Sequence, residues 1–381
     1  MLQSVLIPLA LSLGARAKAL VPPLTGPYQV GTTVLELVDY SRQDPFAPTP
    51  GPRDLVISLF YPTEFPLGHY ANCTLAPQFP AGAAAALDAL INSTGVAEKI
   101  ITRSCTDSSL FRPDLPLVLL DHGLGTTRLL HSDAAEELAS YGWNVVTVDH
   151  PYDTAVIEYP DGRIVLASDS LTAANATLPT LLDVRVKDLI FVLDSLANSS
   201  VTSRIPGLER DPDSYPTSES ELRTERVGVY GHSFGGAASL QLLKDDKRFY
   251  VGANLDGSVL GSVVQEGTDS PFVFFGRPDH NSHSDSTWTE ALKNLRGFKR
   301  EYAVNGTQHG SYTDLSIFRD ILGPPSLGNL VGGVGSINGT RILGIETAFI
   351  GSLFDRFLKG HGGELLDGED FDRWPEVALV Q

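Results

Sequence analysis

Short apolar runs alternate along most of the chain with longer stretches in which apolar residues recur at helical spacing. The predicted strands are residues 115–120, 143–148, 227–230, 251–255, 272–275 and 301–304. The predicted helices are residues 132–141, 178–196, 234–243, 288–295 and 340–358. Ser132 or Asp133 is the predicted cap of the first of these helices. Because strands and helices alternate along the chain, the pattern predicts a mostly parallel sheet with helices on both faces.

The first third of the chain departs from this alternation. Residues 33–38 and 55–61 predict two strands. Residues 63–112 carry an alanine-rich stretch and both cysteines, and they predict an excursion outside the central sheet. The polar residues 199–224, with three prolines, predict a surface loop. We expect residues 20–381 to form a single domain, because large α/β enzymes often exceed 300 residues as one.

The N-terminal residues 1–19 are typical of a cleaved signal peptide. An apolar stretch at residues 5–13 is followed by Ala15, Ala17 and Ala19, which fits cleavage after a small residue. A buried N-terminal strand is the alternative. No later stretch of the sequence reaches the ~18 uninterrupted apolar residues of a membrane span. The sequence therefore predicts a secreted protein without a transmembrane segment.

Glycosylation sequons and cysteine content also favour export. Six of the eleven asparagines stand in Asn-x-Ser/Thr sequences, more than chance would place there. These six are Asn72, Asn92, Asn175, Asn198, Asn305 and Asn338. The chain has two cysteines, Cys73 and Cys105, and a pair in an exported chain predicts one disulfide. Two unrelated buried thiols are the alternative.

The charge of the chain excludes one class of partner. The formal net charge is −18, and Lys and Arg form no run anywhere in the sequence. An acidic protein of this kind repels nucleic acid and anionic bilayers. We therefore expect a small-molecule or lipid substrate and no nucleic acid.

A Gly-x-Ser-x-Gly motif, GHSFGG at residues 231–236, stands between a predicted strand and a predicted helix. In this strand–turn–helix context the motif is specific for a nucleophile that sits on a strained turn. The small neighbours let the strand and the helix pass close together, so the serine hydroxyl projects clear of the backbone. Ser233 is therefore the predicted nucleophile.

A serine hydroxyl becomes a good nucleophile when a histidine takes its proton. In such folds the acid and the histidine follow the serine along the chain, each after a later strand. His309 comes directly after the last predicted strand and is the predicted base. The other histidines considered are His280 and His283, in a polar loop, and His361, beyond the last helix.

Two carboxylates compete for the place of the acid. Asp256 ends the strand that follows the nucleophile helix, in the segment GANLDG. Asp279 follows the next strand, in the segment FVFFGRPDH. Both positions can hold the acid in this fold, so topology alone leaves them open.

The negative oxygen that forms when serine attacks a carbonyl needs two backbone N–H donors. One is the amide after the nucleophile, which belongs to Phe234. The second comes from a loop after an earlier strand, and HGLG at residues 122–125 has the glycines that such a loop requires. Leu124 is therefore the predicted second donor.

No segment of the sequence predicts a metal or a cofactor. The acidic and histidine residues of 279–285 are better explained as a polar loop than as a metal cluster. Residues 367–372 lack the spacing of a calcium loop, since the glycine comes second rather than sixth. The glycines of residues 332–335 follow no strand with a fitting helix, so a dinucleotide site is not expected.

At these residues the sequence resembles the plasma-type platelet-activating factor acetylhydrolases, the lipoprotein-associated phospholipase A2 family of the α/β-hydrolase superfamily. The likeness runs from residue 115 to residue 358. The segments that carry it are LPLVLLDHGLGTTRLLHSDAAEELASYGWNVVTVDH, GHSFGGAASLQLLKDDKRFYVGANLDG and HGSYTDL. Each contains family residues beyond the general signature of the fold.

The resemblance implies a catalytic triad of Ser233, Asp256 and His309, with Leu124 and Phe234 as the oxyanion donors. It implies that Asp256 rather than Asp279 is the acid. It also implies a secreted esterase that hydrolyses short or oxidised acyl esters of phospholipids without calcium.

The sequence departs from the family at three positions. Asp121 stands where the family usually has a serine before His-Gly-Leu-Gly. Gly257 and Ser258 follow the triad acid where larger residues, including an aromatic one, are expected. These positions are expected near the acyl pocket, so they bear on the substrate more than on the type of reaction.

Two other functions remain open at this point. A broad-specificity esterase of the cutinase or polyester-hydrolase type would share the fold and the motif. An inactive hydrolase-fold binding protein would usually have lost the serine or the histidine, and both are present here.

Overall fold

The computed structural model describes residues 18–66, 73–167, 176–208, 221–323 and 333–381. Some of the sequence predictions lie outside these residues. They are nearly all of the predicted signal peptide, the sequon asparagines Asn72 and Asn175, and residues 209–220 of the predicted surface loop.

Strands occur along the whole described chain. They are β1 (Ala19–Leu20), β2 (Tyr28–Gln43), β3 (Pro52–Pro66), β4 (Leu75–Pro77), β5 (Ile100–Thr106), β6 (Pro116–Asp121), β7 (Asn144–Asp149), β8 (Val156–Glu158), β9 (Ile164–Leu166), β10 (Arg223–His232), β11 (Phe249–Leu255), β12 (Phe272–Gly276), β13 (Lys299–Val304) and β14 (Val377–Leu379). Each strand that we predicted lies within or overlaps one of these.

The α-helices of the described residues separate the later strands. They are α1 (Ala81–Leu90), α2 (Ser132–Ser140), α3 (Leu178–Leu196), α4 (Ser199–Thr202), α5 (Phe234–Asp245), α6 (Val263–Glu266), α7 (Ser286–Asn294), α8 (Leu315–Leu322) and α9 (Gly339–Phe354). Short 3₁₀ turns include Arg128–His131 and His309–Tyr312, and a π-helical turn, Asp355–Lys359, extends α9. None of these helices is long and apolar enough to cross a membrane.

One large sheet joins strands from both ends of the described chain. Its order is β1-β5-β2-β3-β7-β6-β10-β11-β12-β13-β14, with β4 paired to β5. The pairs from β7 through β6 and β10 to β13 are parallel, whereas β2–β3, β3–β7 and β13–β14 are antiparallel. The predicted mostly parallel sheet is therefore confirmed. The carboxyl ends of β6, β10, β11 and β13 meet along one edge, which brings the predicted site residues together.

Apolar side chains pack on both faces of this sheet. Leu117 and Leu119 of β6 belong to a core cluster with residues of α3 and α5. Val118 and Leu120 of the same strand belong to a second cluster with residues of α2 and α9. Because successive side chains of a strand point to opposite faces, a continuous apolar run is what a centrally placed strand requires.

The prediction that residues 63–112 lie outside the sheet is wrong in part. Strand β5, inside that segment, pairs in parallel with β2 and also with β1. The sequence of β5, IITRSCT, lacks a continuous apolar run because β5 contains threonine, arginine and serine. Several of these polar groups are buried and hydrogen-bonded; for example, Ser104 donates to Glu136 at 2.7 Å. Hydrophobic patterning therefore did not detect this strand.

Cys73 and Cys105 are joined by a disulfide in the structure, with their Cα atoms 5.5 Å apart. The bond closes a loop that contains β4 and α1 and fastens it to β5. In the chain-entropy model, closing a loop of about 32 residues stabilises a fold by roughly 3–4 kcal/mol.

The cap of helix α2 comes from a distant part of the chain. Asp314, in the loop after β13, accepts a hydrogen bond from the Asp133 amide at 3.0 Å and another from Gln78 Nε2 at 3.1 Å. The prediction of a local cap by Ser132 or Asp133 is therefore wrong. The contact ties the loop that carries His309 to the helix that follows the predicted oxyanion turn.

Buried carboxyl groups cluster around this contact. They are Asp133 and Glu136 of α2, Asp314, and Glu346 of α9. Burial raises the pKa of Glu136 and of Glu346 to about 8 and that of Asp314 to about 7. The folded protein therefore binds more protons here than the unfolded chain does. The part of the folding stability that depends on these protons is fully present below pH 4.5, the ordinary pKa of glutamate. It is lost as the pH rises towards 8.

Glu346→Gln is expected to weaken this pH dependence. Glutamine has no proton to lose, so the free energy of unfolding should fall between pH 5 and pH 8 by about 2 kcal/mol less than in the wild type. Urea titrations at the two pH values measure the difference. Glu369→Gln, the same change at an exposed position, is the matched control. An unchanged pH dependence in Glu346→Gln would show that Glu346 ionises without cost.

Candidate active site

Ser233 stands at the sharp turn between β10 and α5. Its φ is +56°, a strained value for a residue with a side chain, and the serine is only partly exposed. A Cβ on Gly231 would lie 2.4 Å from the carbonyl carbon of Gly235, and one on Gly235 would lie 2.3 Å from the Asp121 oxygen. The glycines of the motif are therefore required by contacts between backbones.

Asp256 and His309 meet beside this turn. The Asp256 carboxylate accepts a hydrogen bond of 2.6 Å from His309 Nδ1. Asp256 is fully buried, and the His309 side chain is 30% exposed. Asp279, the alternative acid, is 77% exposed and forms an ion pair with Arg277 at 3.3 Å. The structure thus brings Asp256, and not Asp279, to the histidine.

The turn that carries Asp256 packs directly on the turn that carries Ser233. The Asn254 side chain spans it, donating to the Gly257 carbonyl at 2.7 Å and accepting from the Gly257 amide at 2.8 Å. Trp288 Nε1 donates to the same carbonyl at 2.6 Å. A Cβ on Gly257 would lie 1.9 Å from the Ser233 carbonyl oxygen. The glycine after the acid, one of the departures from the family, is therefore required by this close contact.

The backbone of His309 is held by His232, the residue before Ser233. His232 Nε2 donates to the His309 carbonyl at 2.9 Å, and the two rings lie 4.5 Å apart. Burial lowers the pKa of His232 well below its usual value, so the ring is neutral and Nε2 carries its proton. Tyr312 adds a second anchor, since its hydroxyl donates to the Gly276 carbonyl at 2.7 Å.

The predicted oxyanion turn lies against the serine. A Cβ on Gly123 would come within 3.1 Å of the Ser233 Cβ. The Gly123 carbonyl accepts from His122 Nδ1 at 2.6 Å, from the Thr126 hydroxyl at 2.8 Å and from the Thr126 amide at 3.1 Å. In a trans peptide the C=O and the next N–H point in opposite directions, so these bonds fix the direction of the Leu124 amide.

Phe234 is the first residue of α5. An amide in the first turn of a helix has no acceptor within the helix, so the Phe234 N–H is available to a ligand. The positive end of the helix dipole also favours negative charge at this point.

His122 serves as a support of this turn. Burial lowers its pKa well below the usual value, so the ring is neutral. The proton is on Nδ1, which donates to Gly123, while Nε2 lies 2.9 Å from the Thr154 hydroxyl and accepts from it. The Thr154 oxygen in turn accepts from the His150 amide at 2.8 Å.

Asp121, the second departure from the family, lies beneath the turn in a buried ionic network. It accepts from His150 Nε2 at 2.9 Å and from Arg185 Nη1 at 3.3 Å. His150 Nδ1 donates to Asp188 at 2.9 Å, and Arg185 also donates to the His122 carbonyl. Asp121 therefore supports the predicted oxyanion turn from below, and its side chain is fully buried in this network.

This network contains atoms that are suitable for a metal. Asp121, His122 and His150 place possible ligand atoms within 4.8 Å of one another. However, each of these atoms already has a hydrogen-bond partner in the protein, and the guanidinium of Arg185 lies against Asp121. The donor set is therefore that of an ion-pair network.

Sequence reasoning missed two residues that contact the acid. His280 Nδ1 lies 2.6 Å from Asp256 Oδ1, and Arg277 Nε lies 2.9 Å from Asp256 Oδ2. Burial alone would raise the pKa of Asp256. The hydrogen bonds from His280 and His309 outweigh burial and lower this pKa to about 2. The sequence predicts only a polar loop around His280, with no contact to Asp256. His283 of that loop and His361 are exposed.

One family model matches most of the chain. The model, described as platelet-activating factor acetylhydrolase, isoform II, covers residues 13–162 and 184–377. A protein of Arthroderma benhamiae described as a probable 1-alkyl-2-acetylglycerophosphocholine esterase is 29% identical over 95% of this chain and 94% of its own length. A platelet-activating factor acetylhydrolase of Cavia porcellus is 24% identical over 93% of this chain and 80% of its own length.

A solved structure resembles the chain to a similar degree. The ferulic acid esterase of Streptomyces cinnamoneus has a TM-score of 0.79 and 29% sequence identity, and the match covers 96% of this chain and 100% of that chain. The predicted α/β-hydrolase fold class is confirmed by this match and by the order of the strands.

Proposed function

Because this chain belongs to the family of platelet-activating factor acetylhydrolases, isoform II, we propose that it is a serine carboxyl-ester hydrolase that removes short acyl groups from phospholipid-like esters. The observation that carries the proposal is the 2.6 Å bond from His309 to the buried Asp256, beside the strained turn of Ser233. An acyl-enzyme mechanism needs an acid that orients a base, and a base that lies beside a nucleophile.

The reaction proceeds in two halves. Ser233 Oγ attacks the acyl carbonyl while His309 Nε2 takes its proton, and the negative oxygen accepts hydrogen bonds from the Leu124 and Phe234 amides. The intermediate collapses, and the alcohol leaves with the proton from His309. Water then attacks the acyl-enzyme in the same way and releases the acid and the free serine. Asp256 stabilises the imidazolium in both halves.

An apolar groove beside the oxyanion turn supports a lipid substrate. It has a volume of about 560 Å³, and its lining includes Gly125 and Thr126 of that turn. Its walls include Leu87 and Leu90 of α1 and Leu166 of β9. A groove of this size and lining suits an alkyl chain whose ester lies at the nucleophile.

A broad-specificity esterase of the cutinase or polyester-hydrolase type is the second candidate. The match to a ferulic acid esterase, a protein named for a bulky aromatic acid, favours it. Ser258 favours it too, because this exposed, small residue is one of the two positions at which the resemblance leads one to expect larger side chains, including an aromatic one.

Acyl-chain selectivity distinguishes the two candidates. We expect kcat/KM for acetyl and butyryl esters to exceed that for octanoyl and feruloyl esters by about tenfold or more, since each methylene or ring that a short pocket excludes costs about 1–3 kcal/mol. A p-nitrophenyl ester series measured beside an acetyl glycerophospholipid tests this. Ser233→Ala protein gives the background rate. A preference for the feruloyl ester would favour the second candidate.

We further propose that the chain is an exported glycoprotein, with residues 1–19 removed as a signal peptide and residues 20–381 folded as one domain. The four sequon asparagines of the described residues support this, because Asn92, Asn198, Asn305 and Asn338 are all exposed. The disulfide suits an oxidising compartment. A single sheet that includes strands from Tyr28 to Leu379 supports one domain.

A further inference from the structure

His280 joins the acid of the proposed triad to a second carboxylate. Its Nδ1 lies 2.6 Å from Asp256 Oδ1, and its Nε2 lies 2.9 Å from Asp285 Oδ2. Both carboxylates are buried or nearly so, and the His280 side chain is 13% exposed. The proposed mechanism assigns no task to this histidine.

The contacts define the protonation of His280. An ionised carboxylate only accepts hydrogen bonds, so each ring nitrogen of His280 must donate a proton and the ring is an imidazolium. Burial alone would lower the pKa of His280, but the hydrogen bonds to Asp256 and Asp285 outweigh burial and raise it. Asp285 itself is held by the Ser258 hydroxyl at 2.6 Å and by the Thr287 amide, which donates to its other oxygen at 2.7 Å.

The ring is held firmly in this position. Trp288 packs against it with the ring centres 4.7 Å apart, and the same tryptophan bonds the Gly257 carbonyl of the Asp256 turn. The His280 amide donates to the Arg277 carbonyl at 3.0 Å, which closes the loop after β12. His280 therefore holds one carboxylate oxygen of Asp256 and leaves the other to His309 and Arg277.

We propose that His280, held by Asp285, is a positioning residue that orients the carboxylate of Asp256 and sets the pH range in which the enzyme hydrolyses esters. The inference rests on the proposed function. His280 does not touch the reacting atoms and acts through Asp256.

The pH effect follows from the charges around His280. The charged groups that face it are Asp256 from the β11 turn, Asp285 from the start of α7 and, across Asp256, Arg277 and His309. A positive charge on His280 opposes a second positive charge on His309. The two rings are coupled in this way because both bond the carboxylate of Asp256. Loss of that charge moves the acid limb of kcat/KM to higher pH.

His280→Asn tests this in the full-length enzyme. The asparagine amide can still donate to Asp256, but it carries no charge and does not reach Asp285. We expect kcat to fall about 3- to 30-fold with KM changed less than twofold, and the acid limb of kcat/KM to move up by about half a pH unit or more. Initial rates with a butyryl ester from pH 4 to pH 9 measure both effects.

His283→Asn is the matched control, since it makes the same change at an exposed position of the same loop. Its pH profile should equal that of the wild type. Titration of active serines with a fluorophosphonate corrects each rate for folded enzyme, and His280→Gln replaces His280→Asn if the latter does not fold. A lower kcat with an unmoved acid limb, or no change at all, would overturn the proposal. An inactive wild type would instead contradict the proposed function, and this inference with it.

Discussion

Replacing Ser233 by alanine is expected to lower kcat/KM for a short-chain ester by at least about 10³-fold while leaving the fold intact. In the proposed mechanism the Ser233 hydroxyl forms the acyl bond, so what remains in the variant is the catalysis that the oxyanion donors and substrate binding supply. Alanine keeps the Cβ that the turn already accommodates at φ +56°, so little change in stability is expected.

Covalent labelling checks the assignment directly. A fluorophosphonate should attach to the wild type at the peptide that contains Ser233 and should not attach to Ser233→Ala. Ser239, six residues further along the chain in α5, is the negative comparison because its hydroxyl is buried and bonded to the Gly235 carbonyl at 2.8 Å. An adduct on Ser239, or on any other serine, would show that the nucleophile is misassigned.

The central part of this fold could be predicted because its signals are local. Strands such as β6 and β7 are buried on both faces and therefore read as continuous apolar runs. The bounds of α3 agree with the prediction, since its apolar face repeats over five turns. The nucleophile turn could be predicted because its glycines are required by backbone contacts.

Other features could not be predicted because they depend on contacts between distant residues. Strand β5 is polar in sequence, and its buried groups find partners on α2. The cap of α2 comes from Asp314, 181 residues away from Asp133. Asp121 differs from the family residue, and its role beneath the oxyanion turn depends on Arg185 of α3. His280 lies among loop residues, and nothing in the sequence around it indicates a contact with Asp256.

The choice between two acids shows the same limit. The strand order places Asp256 and Asp279 after neighbouring strands, β11 and β12, at the same edge of the sheet. Which carboxylate reaches His309 depends on the turn after each strand. Asp256 has a φ of +57° and lies in a turn closed by Asn254, whereas Asp279 lies further out in its loop.

Asp256→Asn is therefore expected to lower kcat by about 10⁴-fold, as found when a triad histidine is held in the wrong tautomer. In the wild type, the Asp256 carboxylate accepts a hydrogen bond from His309 Nδ1 and balances the charge of the imidazolium that forms during the reaction. An amide cannot supply that negative charge, and its NH₂ group would favour the tautomer with the proton on Nε2. Because its pKa is lowered to about 2, Asp256 is ionised throughout the working range of an esterase.

Asp279→Asn is the matched control, with the same change at an exposed carboxylate two residues from Arg277. It should alter kcat by less than about tenfold, because a solvent-exposed ion pair contributes little. Asp256→Asn also leaves His280 and Arg277 without their shared partner, so some loss of stability is expected beside the loss of rate. The two variants are compared per mole of folded protein, measured by circular dichroism, at the pH optimum of the wild type. A larger loss of kcat in Asp279→Asn than in Asp256→Asn would assign the acid to the loop after β12.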